Sequence, residues 1–247
     1  MGQRLLQRQL LTNVSNFHPL NQILIILLSL DVLFIFTHAL LIYLIYIRIQ
    51  FDWSLADLFM INNDNGYPEV FQYFKYFIVI LILFYLIIKK QGIGYIAWLL
   101  LFILLLLDDS MRLHEGFGTW AVEKFNYSPM FGLRAHDLGE LTYVAFFGSI
   151  LLFFLVFGYL KGDSKHRKIN IDLGLLFALF LFFGVAMDMI DQLFEYNRYS
   201  HLILVLIEDG GEMITLSLLV WYFFHLLLKP KEHDVYLFEN YLKKNSK

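Results

Sequence analysis

The 247-residue chain is 59% hydrophobic, with a net charge of −3 and no cysteine. Soluble domains sit near 45–50% apolar, so this composition, with a mean hydropathy of +0.61, points to a membrane protein. It excludes disulfides, thiolate metal sites, cysteine nucleophiles and palmitoylation, and the lack of a basic stripe excludes nucleic acid as a partner.

Residues 1–22 are mainly polar and read as a cytoplasmic segment with no cleavable leader, because no small-residue cleavage site follows. A membrane-crossing helix needs about 20 mainly apolar residues. Six runs qualify, at roughly 23–46, 70–88, 93–114, 138–160, 171–193 and 202–228. Pro19, Pro68, Pro129 and Pro230 all fall between or outside them, where helix interruption does no harm. The expected fold is therefore an all-α, polytopic membrane bundle of about six helices, with a transmembrane domain over 23–228 and a cytoplasmic tail over 229–247. Placing the N-terminus inside puts thirteen of the nineteen Lys and Arg on the cytoplasmic side, as the positive-inside rule asks. Both termini then lie in the cytoplasm of a cell whose inner (plasma) membrane the chain crosses.

Taken in order, the first run carries Asp31 and His38, the former a packing or path residue. The outer loop 50–69 mixes four acids with Trp53, Leu55, Phe59 and Met60, and is expected to hold a short interfacial helix. The third run is uncharged from Ile93 to Leu107 and then meets Asp108, Asp109, Arg112, His114 and Glu115. The aromatic loop 116–134 is expected to pack over the bundle. His136 and Glu140 open the fourth run, Asp188 and Asp191 lie late in the fifth, and Glu208, Asp209 and Glu212 flank two glycines in the last. Those glycines either let helices approach closely or unwind the last span. His201 and His225 read as interfacial.

Depth ties these groups together. At 1.5 Å per residue, Asp108 and His38 each lie about 22 Å, and Asp188 about 25 Å, from the inner boundary, while Glu208 is about 9 Å below the outer one. Helical spacing puts Asp108, Arg112 and Glu115 on one face, and pairs Asp188 with Asp191, His136 with Glu140, and Glu208 with Glu212. An ionisable residue at such depth marks a functional site by default. One arginine cannot neutralise so many acids, so either several are protonated or a cation is bound.

The lead reading is a metal-dependent enzyme acting in the outer leaflet on a lipid or another membrane-dissolved substrate. Asp108, Asp188, Glu208 and Glu212 are the expected ligands, with His38 or His114 as the imidazole and Zn, Fe or Mn as the ion. Asp109 or Glu115 is the expected general base. Arg112, His136, Glu140, Asp191 and Asp209 complete the site or serve as a relay. Two other classes stay open: a cation- or proton-coupled transporter or channel, and a non-catalytic membrane subunit or sensor.

The segments 66–75, 107–115 and 208–212 resemble those of a family of bacterial multi-span membrane proteins with no assigned activity, which implies a prokaryotic inner-membrane setting. The zinc-dependent transmembrane hydrolases of the ceramidase type use a Ser, an Asp and three His, two of them as His-x3-His on a late span. That pair is absent here.

Overall fold

A computed structural model describes residues 19–47, 49, 53–89, 94–194 and 198–228. The polar ends assigned above to the cytoplasm lie outside the described residues, apart from 19–22, which begin the first helix. The helices are α1 (Pro19–Tyr46), α2 (Trp53–Asp57), α3 (Tyr67–Ile88), α4 (Tyr95–Met111), α5 (Leu113–Phe125), α6 (Ala135–Lys161), α7 (Ser164–Leu181), α8 (Asp188–Phe194) and α9 (Arg198–Leu228). A π-helical segment, Phe182–Met187, joins α7 to α8. No β-strand occurs among the described residues. Four stretches are long and apolar enough to cross a membrane: α1, α3, α6, and Ser164–Leu193.

Local chemistry explains the boundaries. Pro68 sits in the first turn of α3, where its missing N–H costs nothing. Asp163 caps α7 by accepting from the His166 N–H at 2.8 Å, and this bond holds its carboxyl below the usual range. Asp137 in the first turn of α6 accepts from the Arg134 N–H at 2.8 Å and from the Arg134 guanidinium at 2.8 Å. Arg112 and Asn126, both left-handed, end α4 and α5.

Helix α9 is the hub, packing against α1, α3, α7, the π-helical segment and α8. Its Leu216, Leu219, Val220 and Phe223 meet Tyr76, Val79 and Leu83 of α3, Phe102 of α4 and Leu173 of α7 in one core. In that interior, Lys75 of α3 reaches Asp31 of α1 at 2.5 Å and the Met213 carbonyl of α9 at 3.0 Å. Ser217 donates to the other Asp31 oxygen at 2.5 Å. Asp31, Lys75 and Ser217 are all fully buried, so Asp31 is one half of a packed ion pair.

Two glycine contacts fix α6. At one end Gly139 meets Gly118 of α5 so closely that a Cβ on Gly139 would lie 2.8 Å from the Gly118 Cα. At the other, a Cβ on Gly158 would lie 3.4 Å from the Gly94 Cα. Gly139→Val is expected to lower the thermal unfolding midpoint in detergent, at a cost of about 1–3 kcal/mol, because backbone rather than a movable side chain opposes the new atoms. Gly148→Val, where a Cβ meets nothing within 4 Å, is the neutral control.

The structure corrects three expectations and decides a fourth between its two alternatives. The run 93–114 is not one helix: the left-handed φ of 51° at Arg112 breaks it, so Asp108, Arg112 and Glu115 do not share a face. The segment 116–134 is largely helical, because α5 continues to Phe125. The run 171–193 carries a π-helical segment, which rotates Asp188 and Asp191 relative to α7. Helix α9 continues through Gly210 and Gly211 without unwinding. Their role is close approach: Gly211 faces the Phe183 ring, whose Cε1 would be 2.6 Å from a Cβ there, and Gly210 faces Ile35.

Candidate functional site

A cavity of about 1140 Å³ opens among α3, α4, α5, α6, α7 with its π-helical continuation, α8 and α9. Its polar part gathers side chains from far apart in the chain. Asp108 and Asp109 come from the end of α4, His114 and Glu115 from α5, Glu140 from α6, Asp188 and Asp191 from α8, and Glu208, Asp209 and Glu212 from α9. Arg112 also lines it, as do Asp64 and Glu69 near the start of α3. Of the expected ligands, bases and relay residues, only His38 and His136 are not on its wall.

The break at Arg112 shapes the α4–α5 side. Because α5 restarts at a new angle, the His114 N–H donates to Asp108 at 2.8 Å, and His114 Nδ1 lies 3.1 Å from the same oxygen. This bond fixes the imidazole with Nε2 as its second ring nitrogen. Arg112 turns away from Asp108 and pairs with Asp64 at 2.6 Å, both side chains about half exposed. Tyr73 donates to Glu69 at 2.5 Å, and the Asn65 N–H donates to the other Glu69 oxygen.

On the opposite wall, His201 pairs with Asp191 at 2.7 Å, and Gln192 donates weakly to Asp188 at 3.5 Å. Glu212 lies flat against the π-helical segment: a Cβ on Gly184 would stand 3.0 Å from its Oε2. The two walls interact. Asp109, Asp209 and Lys75 all lie near enough to Glu212 to act on it electrostatically. Glu208 feels Asp209, Asp188, Asp191 and Glu212, and Glu140 feels His136, His114 and Asp188.

Eleven carboxylates line this cavity against two guanidiniums, those of Arg112 and Arg134, and both guanidiniums are taken by Asp64 and Asp137. Three wall atoms are buried without a hydrogen-bond partner among the described residues, Gln72 Oε1, Asp191 Oδ1 and Gln192 Oε1, while the Tyr76 hydroxyl faces Asp109 and Glu212 and the Tyr143 hydroxyl faces Asp108. An unmet buried polar atom costs about 1–3 kcal/mol. Three around one space mark it as a place built to hold something polar.

The two imidazoles off the wall have other partners. His38 is buried and its Nδ1 accepts from the Ile61 N–H at 3.3 Å, so it anchors the loop between α2 and α3. His136 lies 3.2 Å from Glu140 and 3.3 Å from the Thr119 hydroxyl. With Asp137 and Glu140 it forms a group whose ligand atoms all lie within 4.8 Å of one another and could hold a metal ion. In that group Asp137 already serves Arg134.

Sequence reasoning passed over several wall residues. Tyr76, Tyr143, Gln72 and Gln192 sit among apolar neighbours and give no charge signal. His201 looks interfacial by position, and only its contact with Asp191 brings it in.

A family model described as a domain of unknown function (DUF8692) matches residues 27–226, which includes every residue of the cavity's polar wall. No curated protein and no solved structure matches the chain.

Proposed function

The chain belongs to the DUF8692 family of unknown function, and we propose that it is a six-span inner-membrane protein, both termini cytoplasmic, whose cavity holds a divalent cation and acts on a lipid. The observation that carries this is the imbalance on the wall: eleven carboxylates, two engaged guanidiniums and three unpartnered buried polar atoms. Uncompensated buried acids are costly, and a cation converts that cost into binding. In this reading α4 and α9 also cross the membrane; α4 is seventeen residues, or about 26 Å by helical rise.

We assign Asp188, Glu208 and Glu212 on one wall and Asp108 on the other as the ligand set, with His114 as the imidazole; no three of them offer ligand atoms within 4.8 Å of one another as they stand, so binding requires the two walls to close. His38, occupied with the loop and off the wall, drops out. Carboxylate oxygen and imidazole nitrogen suit Zn, Fe or Mn, and such an ion supplies Lewis acidity. Asp109 and Glu115 flank Asp108 and His114 on the same rim, where one of them takes a proton from an attacking water. Arg112, Glu140, Asp191 and Asp209 hold the surrounding charge pattern.

Elemental analysis of detergent-purified protein tests this. The wild type is expected to carry a transition metal at close to one per chain, and Asp108→Ala and Glu208→Ala to lose it. Metal-free wild type, purified without chelator, ends the reading.

One observation favours a second reading. From Glu212 the polar groups continue through Lys75 to Asp31 and Ser217, a line that extends beyond the cavity as a proton or cation path would. Flux into liposomes that Glu212→Gln abolishes supports transport; no flux under either gradient excludes it.

A further inference from the structure

The carboxylates occupy only one part of the cavity. Beyond them it continues as an apolar trough between α4, α6 and α7, walled by Leu101, Leu105, Leu155 and Phe177 and floored by Gly148 and Gly174. The trough follows from how α6 is held. Glycine contacts pin it at both ends, Gly139 on Gly118 and Gly158 on Gly94, and between these points Leu151 and Leu155 reach the core while Gly148 presents no side chain to its neighbours. At Gly148 and Gly174 a Cβ would meet nothing within 4 Å, so both open onto free space. The far end carries Tyr159 and a second polar pair, Trp98 donating to Asn170 at 2.8 Å.

We infer that this trough binds a single acyl chain, with the lipid's head, neutral or cationic, among the carboxylates. The inference rests on the lipid-substrate reading above and names its substrate class. Two observations select the occupant. The ten residues from Asp108 to Trp98 span about 15 Å by helical rise, half of a hydrocarbon core of about 30 Å, and so about one leaflet's acyl length. Eleven carboxylates against two engaged guanidiniums leave the head end acidic even with one divalent ion bound, so an anionic head meets repulsion. Trp98 and Asn170 close the trough as a stop against the terminal methyl.

Photolabelling tests the assignment, using the full chain in detergent and a long-chain alkylamine that carries a diazirine near its methyl end. Labelling is expected on α4, α6 and α7 near Trp98 and Tyr159, and excess unlabelled amine should suppress it. Gly148→Phe and Gly174→Phe, which fill the trough from opposite sides, should each cut it at least tenfold. Gly116→Phe, equally open at its Cβ but off the wall, should not. Gly148→Ala and Gly148→Leu give a graded loss that global misfolding would not produce. A fatty acid of the same length should label at least several-fold less. Labelling spread over α1 and the outer face of α6, or unchanged by either phenylalanine, overturns the trough; equal labelling by the fatty acid overturns the head-group assignment. Metal content measured on the same samples keeps the two readings apart. Trough labelling without bound metal removes the metal reading alone, and bound metal without trough labelling removes the acyl site alone.

Discussion

Lys75→Met is expected to destabilise the protein by about 3–5 kcal/mol, the largest effect of any single substitution outside the cavity. Lys75 and Asp31 are both fully buried and meet at 2.5 Å. Methionine keeps much of the lysine's volume but leaves the Asp31 carboxylate with only the Ser217 hydroxyl. An uncompensated charge in a low-dielectric interior loses far more than the pair gained. Asp31→Leu in the Lys75→Met background is expected to recover most of the loss, because a buried pair replaced by apolar groups is often close to neutral. Thermal unfolding of both single variants and the double in one detergent closes the cycle. A Lys75→Met protein as stable as wild type would mean that the pair does not hold α1, α3 and α9 together.

That pair also marks where sequence and structure part. Apolar runs predict where α1, α3, α6 and the Ser164–Leu193 stretch lie, because length and hydropathy are one-dimensional properties. Depth is equally one-dimensional, so counting residues along each run puts the acids near one level. Rotation about the helix axis is not. By that count His38 shares the level of Asp108, yet its ring meets the loop at Ile61 rather than the cavity. Nothing in the run 93–114 announces the break at Arg112, since arginine in a left-handed conformation carries no Gly or Pro signal. Its effect is large: Arg112 goes to Asp64, and His114 to Asp108. The π-helical segment is just as silent, because FFGVAM is apolar under any period. It is fixed by contact, with Phe183 against Gly211 and Gly184 against Glu212. Lys75, eight residues into α3, is the cation whose depth matters most and whose position in an apolar run gave least reason to expect a partner.

The acidic wall makes a prediction whose sign separates function from architecture. Glu208 is surrounded by Asp209, Asp188, Asp191 and Glu212, and Asp209 by Asp188, Asp191 and Asp64. Every carboxylate neighbour is of like charge. In a chelator, Glu208→Gln and Asp209→Asn are each expected to raise stability, by about 0.5–2 kcal/mol, since an amide keeps the shape, cannot add charge, and offers donors to neighbours that only accept. Added divalent cation should reverse the order for Glu208→Gln. A ligand that binds only the folded state stabilises it by about 2.7 kcal/mol at a hundred times its Kd, and the variant lacking Glu208 forgoes most of that gain. The measurement is a pair of thermal melts per protein, with chelator and with metal. A crossing of wild type and Glu208→Gln between the two conditions identifies a wall whose acids are kept for what they bind. If Glu208→Gln is instead less stable in both conditions by the same amount, the carboxylate is a structural partner, and the cation reading of this cavity fails with it.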